Sequence, residues 1–330
     1  MPFETAGAVP RTAFRRGTRG LRTLRGAVIV SAILLASAHA RASAGVDGWQ
    51  AVQSHDEGVP RDAVTISQED GLALYACRGR IGDNVHVGRR RSDFSKCHVG
   101  YSGREIEIEA HELLTGVWRG ASAGGVPTLS LNSGQELEGM ADAPLAVAVL
   151  HPCRARHQGG VHIGQMRAGS AGCVFGYGGR PITAAEYEVL QAMSWMSWVT
   201  ATPRTLAAGA MVGGVEGGEP VFVCRAADAG GLRPGKVMRN SAGCNVVSRG
   251  REVQVARFEV LVPRWVRVSS GVMPVAAMPS GRENGAVQYT CRGHAGGAVQ
   301  IGKAGAGLSG CHIGVQGREV VVRDFEVLGQ

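Results

Sequence analysis

After the second cysteine of several cysteine pairs, apolar residues fall on alternate positions: Cys97, Val99 and Tyr101; Cys173, Phe175 and Tyr177; Cys311, Ile313 and Val315. A period of two places those side chains on one face of a strand. A Gly-Arg pair then supplies a turn, and alternation resumes in Val253 and Val255 and again in Phe258, Val260 and Val262. Glycine at such a turn accepts positive φ, so a tight hairpin can close. One stretch imitates a helix, Ala184 to Trp195. Its counterparts at 257–262 and 324–328 alternate like strands, so it is expected to be strand as well. The predicted element is a small antiparallel sheet.

That element repeats. The eight cysteines form pairs of constant spacing: Cys77 and Cys97, Cys153 and Cys173, Cys224 and Cys244, Cys291 and Cys311. Counted from the first Cys of each pair, +1 is always Arg (Arg78, Arg154, Arg225, Arg292) and +11 always Gly (Gly88, Gly164, Gly235, Gly302). Position +35 is always Glu (Glu112, Glu188, Glu259, Glu326), and +37 always Leu (Leu114, Leu190, Leu261, Leu328). Each block follows a looser stretch that opens near a Trp: Trp49, Trp118, Trp198 or Trp265. A fixed internal period marks a repeat architecture. The expected division is a leader at 1–44 and four units at 45–116, 117–192, 193–262 and 263–330. The second unit carries extra residues around Ser130 to Asp142.

Composition refines this picture. With 50 Gly and 5% aromatics in 330 residues, many turns between short strands are favoured over long helices. The net charge of +8 is concentrated at the start. Arg11, Arg15, Arg16, Arg19, Arg22 and Arg25 precede an uncharged stretch from Gly26 to Ala40, and Ala38-His39-Ala40 and Ala42-Ser43-Ala44 offer small-residue cleavage patterns. This is the layout of a secretory signal peptide, with an apolar run too short to span a bilayer comfortably. Cleavage after Ala44 would remove seven Arg and one Glu, leaving 28 basic and 26 acidic residues. No basic stripe with interleaved aromatics remains for nucleic acid. The expectation is a secreted or periplasmic protein with no membrane span in the mature chain.

In an exported protein, an even cysteine count at repeated spacing reads as disulfides. Bridges within each unit are the simplest connectivity, although eight cysteines allow many others. Zinc is disfavoured, because Cys97-His98 and Cys311-His312 are adjacent on alternating strands and point to opposite faces.

The block Cys224-Arg225-Ala226, Arg233-Pro234-Gly235-Lys236, Cys244-Asn245-Val246, Gly250-Arg251-Glu252 and Phe258-Glu259-Val260-Leu261 resembles the DM-nine repeat, a tandem module. Ala210 to Glu216 upstream is similar to that family too, and all four units match. The resemblance implies an all-β fold in which repeats work as pseudo-symmetric pairs. Members include oyster lectins that bind mannose, insect proteins linked to immunity and repeats beside pore-forming modules in fish toxins. The mannose sites of the family use an acid upstream of the strand and a Lys in the Pro-Gly-Lys turn.

Here position +12 holds Arg89, Gln165, Lys236 and Lys303, and position −8 holds Glu69, Leu145, Glu216 and Glu283. Units three and four thus carry Glu with Lys, unit one Glu with Arg, and unit two neither. A carboxylate can accept two hydroxyl protons of a sugar while an ammonium donates to hydroxyl oxygens. A planar guanidinium is a poorer substitute. The competing reading of each pair is a solvated surface ion pair. The Arg at +1 and Glu at +35 occur in every unit and are expected to tie two strands together. Gly230 to Lys236 and Gly297 to Lys303 imitate a phosphate loop but lack the following Ser or Thr. No nucleophile–base arrangement stands out, so no catalysis, cofactor or metal is expected. The resulting expectation is a lectin-like protein taking mannose-type glycans, or else a structural and protein-interaction scaffold. A homodimer is compatible with either.

Overall fold

The computed structural model describes residues 48–52, 58–138, 146–268 and 271–330. The leader at 1–44 and Leu145 lie outside the described residues. All regular elements described are strands, 28 of them, in two sheets of 14. Among these residues no helix is long and apolar enough to cross a membrane.

Unit 1 sets the pattern with seven strands. They are β1 (Trp49–Val52), β2 (Thr65–Glu69), β3 (Leu72–Ile81), β4 (Asn84–Arg91), β5 (Cys97–Tyr101), β6 (Arg104–Ile108) and β7 (His111–Leu114). The long β3 is the axis. One edge takes β4 along its whole length, and the other takes β2 near its start and β7 beyond Cys77. β5 and β6 form the hairpin that the alternation and the Gly-Arg pair foretold. Its turn has two successive positive φ values, Ser102 at 51° and Gly103 at 78°. Two such residues match the twist of the flanking strands. The helix-like stretch is strand where it is regular, at Glu186–Leu190.

The same seven strands recur from Trp118 to Leu190, from Met196 to Pro263 and from Trp265 to Leu328. In each case the Trp strand pairs with the last strand, giving Trp49↔Leu114, Trp118↔Leu190, Trp198↔Leu261 and Trp265↔Leu328. The +1 guanidinium stacks on that Trp at 4.6, 4.4, 4.4 and 4.4 Å. It also donates to the +35 carboxylate at 2.6, 2.7, 2.7 and 2.8 Å. This Arg therefore joins the first, third and last strands of each unit. Disulfides link Cys77–Cys97, Cys153–Cys173, Cys224–Cys244 and Cys291–Cys311, each within its unit. Closing a loop of that length is worth about 3 kcal/mol on a chain-entropy account.

Glycine at +11 has a steric cause. A Cβ at Gly88, Gly164, Gly235 or Gly302 would run into the backbone carbonyl of His98, Val174, Asn245 or His312 on the neighbouring strand.

The units pair 1 with 4 and 2 with 3. In the first half, β6 meets the strand Arg318–Val322 at Arg104↔Arg318, and β4 meets the strand Pro279–Glu283 at Val85↔Arg282. In the second half, Val161 faces Val215 and Leu232 faces Gln135. Each disulfide sits in a small core of its own. A central core draws on all four units, among them Trp49, Ile66, Ile163, Trp195, Met211, Leu261, Ile301 and Leu328.

Candidate functional site

At each seam between paired units an acid from the second strand of one unit meets its own +12 residue, the +9 residue of the partner unit, or both. A β-bulge prepares this placement. The register shifts between Thr65 and Ser67, between Val212 and Gly214, and between Pro279 and Gly281. A bulge re-aims the side chains that follow it. The three strands accordingly end with Glu69, Glu216 and Glu283 paired to Leu72, Glu219 and Ala286.

Two seams are built from lysine and histidine. In one, the Lys303 ammonium donates to Glu283 at 3.1 Å and to His86 Nδ1 of unit 1 at 3.0 Å. Gln288 also donates to the same Glu283 oxygen. Lys303 carries only donors, so His86 Nδ1 is the acceptor and the ring proton sits on Nε2. Burial, then the Lys303 charge, pushes His86 down to about 4 against the pull of Glu283. In the other, Lys236 bonds Glu216, with Glu252 at 4.0 Å. His162 of unit 2 places Nδ1 3.4 Å from Glu216, while its Nε2 bonds the His157 carbonyl at 2.9 Å. Burial holds His162 below its ordinary value, opposed by the His157 carbonyl and Glu216 and reinforced by Lys236.

The other two seams use arginine and glutamine. Arg89 donates to Glu69 at 3.0 Å, to Glu105 at 3.2 Å and to the Gly314 carbonyl at 2.7 Å. Gln300 of unit 4 takes the second Glu69 oxygen at 2.5 Å. In unit 2 the +12 residue is Gln165, and the guanidinium comes from the partner's +9 residue, Arg233, 2.5 Å from Glu136. Arginine and glutamine have thus exchanged units between the halves, leaving each half with one Lys–His seam and one Arg–Gln seam.

Glu136 overturns the expectation that unit 2 lacks an acid. The register pairs Glu136 with Ala148, whereas the other acids sit beside the hairpin turn. Aligning on the residue three before each first Cys puts Gly134 with Ser67, Gly214 and Gly281, and Glu136 with the three known acids. A longer hairpin moves it out of the −8 column. The pattern of a small residue, any residue, then Glu could have found it. Reading columns one unit at a time shows that His86 and His162 share +9, where a surface or strand position would explain them, but not that they, Arg233 and Gln300 reach across the seam.

Two further expectations need correction. The Lys in Pro-Gly-Lys lies inside a strand, Gly231–Val237, and Lys303 likewise inside Ala298–Gly305, so neither occupies a turn. Nor are the pairs solvated surface contacts: Lys236 and Lys303 are 3% and 2% exposed, and Arg89 4%. The carboxylates are the outward members, at 23% for Glu216 and 20% for Glu283. In these two seams only one carboxylate oxygen has a hydrogen-bond donor among the described residues, and Oε1 is left free. Glu69, by contrast, has both oxygens taken. Clefts of about 960 and 670 Å³ open elsewhere, and neither is lined by these acids or lysines.

The molecule is therefore a tandem all-β repeat protein, stapled once per unit and joined through polar seams. A family model described as the DM9 repeat matches residues 52–141, 146–255 and 216–322, and the chain belongs to that family. No curated protein matches it. Similar solved structures include the crystal structure of the nematode sperm cell motility protein MFP2B, at 12% identity. That match covers 85% of this chain and 96% of the other, with a TM-score of 0.18.

Proposed function

We propose that this is an exported, non-catalytic, carbohydrate-binding protein whose two Lys–His seams each take one hexose of mannose type. The observation that carries the reading is the free Oε1 on Glu216 and on Glu283, each beside a buried ammonium. An ammonium has three N–H donors, and Lys303 spends two on Glu283 and His86. The carboxylate accepts one sugar hydroxyl and the remaining N–H serves its neighbour, in charge-assisted bonds. Glu69 and Arg89, whose groups are spent on one another and on Glu105, Gln300 and Gly314, act as a brace. The four disulfides suit an oxidising compartment.

Isothermal titration of the mature chain with mannose tests this, with two sugars bound per chain as the expected result. Absence of heat with mannose and with a panel of other hexoses would end the reading. A scaffold that captures a protein partner is the second reading. The near-complete burial of both lysines favours it, since a sugar must approach past the carboxylates. It predicts a partner whose capture survives substitution of both lysines.

A further inference from the structure

A second recess borders the seams and is lined mainly by units 1 and 3, with Val299 of unit 4 at its edge. It has a volume of about 670 Å³, within the range of roughly 300–1,000 Å³ usual for small-molecule sites. Its walls come from equivalent parts of the two units. The loop Val59–Ala63 lies on one side and the loop Leu206–Ala210 on the other, each ending fourteen positions before the first Cys of its unit. Tyr75 and Phe222, both two positions before that Cys, also line it. The lining is mostly apolar. Ser67 spends its hydroxyl on the Val299 carbonyl at 2.6 Å, which leaves Thr65, Gln68 and Tyr75 as the other uncharged polar side chains of the lining.

The charge is one-sided. Among the described residues, Arg61 and Arg239 are the only charged ones that line the recess. Both are exposed, and among the described residues neither has a carboxylate partner. Arg239 instead lies 5.6 Å over the Phe222 ring. The acids nearest in sequence to the lining residues, Asp62, Glu69, Glu216 and Glu219, do not line the recess. Asp62 is held by Arg154 of unit 2, Glu69 by Arg89 and Glu216 by Lys236. An apolar recess with two guanidinium groups that lack a carboxylate partner, and no acid among its described lining, fits a ligand with an apolar body and an anionic head.

We infer that this recess binds one single-chain amphipathic carboxylate, with its chain against Ala63, Ala210 and Phe222 and its head at Arg61 and Arg239. The site is independent of the proposed sugar seams. The test is titration of the intact, four-disulfide chain with dodecanoate, dodecan-1-ol and dodecyltrimethylammonium below their micelle concentrations. Stoichiometry is read by native mass spectrometry. Dodecanoate is expected to bind one per chain and the alcohol more weakly. Arg61→Gln with Arg239→Gln should weaken dodecanoate by about tenfold or more, the loss of charge-assisted bonds, while leaving the alcohol unchanged. Ala207→Trp, which fills the recess, should abolish both. No dodecanoate complex would overturn the inference. So would equal binding of all three probes, or dodecanoate affinity indifferent to both Arg substitutions. The Arg variants lie on the surface and keep the test valid should Ala207→Trp fail to fold.

Discussion

The two halves of the molecule solve one joining problem with opposite strengths. In the half made of units 1 and 4, the hairpin tips are latched twice. Gly103 N–H donates to Glu319 and Gly317 N–H to Glu105, both at 2.7 Å. In the half made of units 2 and 3, Gly179 N–H reaches Glu252 at 2.9 Å, but Pro181 stands where the reciprocal carboxylate would be. The other contact reverses the balance. Units 2 and 3 exchange strand bridges at both Val161↔Val215 and Leu232↔Gln135. At the equivalent strands units 1 and 4 have one such bridge, Val85↔Arg282, and replace the other with the Ser67 hydroxyl on Val299, while a separate bridge, Arg104↔Arg318, joins their hairpins. The seams nonetheless keep the same chemistry, one Lys–His and one Arg–Gln in each half. Backbone contacts drift while polar sets persist, because an unpaired buried charge costs far more than one exchanged backbone bond.

The sharpest way to break this comparison is at Arg89. Arg89→Ala removes the buried guanidinium shared by Glu69, Glu105 and the Gly314 carbonyl, leaving Glu69 with Arg91 and Gln300 and Glu105 with the Gly317 N–H, and a broken buried pair costs about 3–5 kcal/mol. Denaturant unfolding should show that loss, with mannose stoichiometry unchanged. A sugar site lost with it would mean that the Arg–Gln seam is not merely a brace. Next come Lys236→Met and Lys303→Met. Each should reduce the sugars bound per chain from two to one, and the double variant should bind none. Single variants that both retain two would remove the lysines from the site.

Acid pH acts more gently and on both halves, since burial lowers His86 in one and His162 in the other. His86 titrates lower folded than unfolded, so between about pH 6.5 and 4 the unfolded chain holds the extra proton. Stability is then full above the ordinary histidine range and falls with pH toward 4, by up to about 1.4 kcal/mol per pH unit for this one group. His86→Gln should flatten that part of the profile measured by urea unfolding. An unchanged slope would mean that His86 is protonated in the folded chain. The smallest expected effect is a gain. Pro181→Glu supplies the missing latch to the second half and should add roughly 0.5–1.5 kcal/mol, the net worth of a hydrogen bond. A loss of stability would show that the proline is held there for another reason.

Much of the fold was legible because it is local. The alternation around Cys97, Val99 and Tyr101, the Gly-Arg turns and the Arg/Glu columns all act within about 40 residues. The close pairing of Glu216 with Lys236 and of Glu283 with Lys303 followed from the same columns. What lay hidden was everything that crosses a seam. Lys303 and His86 are 217 positions apart, and no periodicity ties the +9 residue of one unit to the +12 residue of another. The lysines' burial was equally hidden, since it arises from a partner unit covering strands that would be open in a lone unit. Glu136 was masked by a hairpin longer than its counterparts, which shifts numbering without shifting register.

The order of partners, 1 with 4 around 2 with 3, resembles nested brackets. As the polypeptide is synthesised, the inner bracket can shut once unit 3 is complete. Unit 1 must wait for the strands Pro279–Glu283 and Arg318–Val322 of unit 4, with its mating face uncovered meanwhile. A chain cut short after residue 262 would keep a finished inner half and an orphaned first unit, exposing the side of β4 and β6 that unit 4 normally occupies. Loss of the last quarter of this protein would therefore injure its first quarter most.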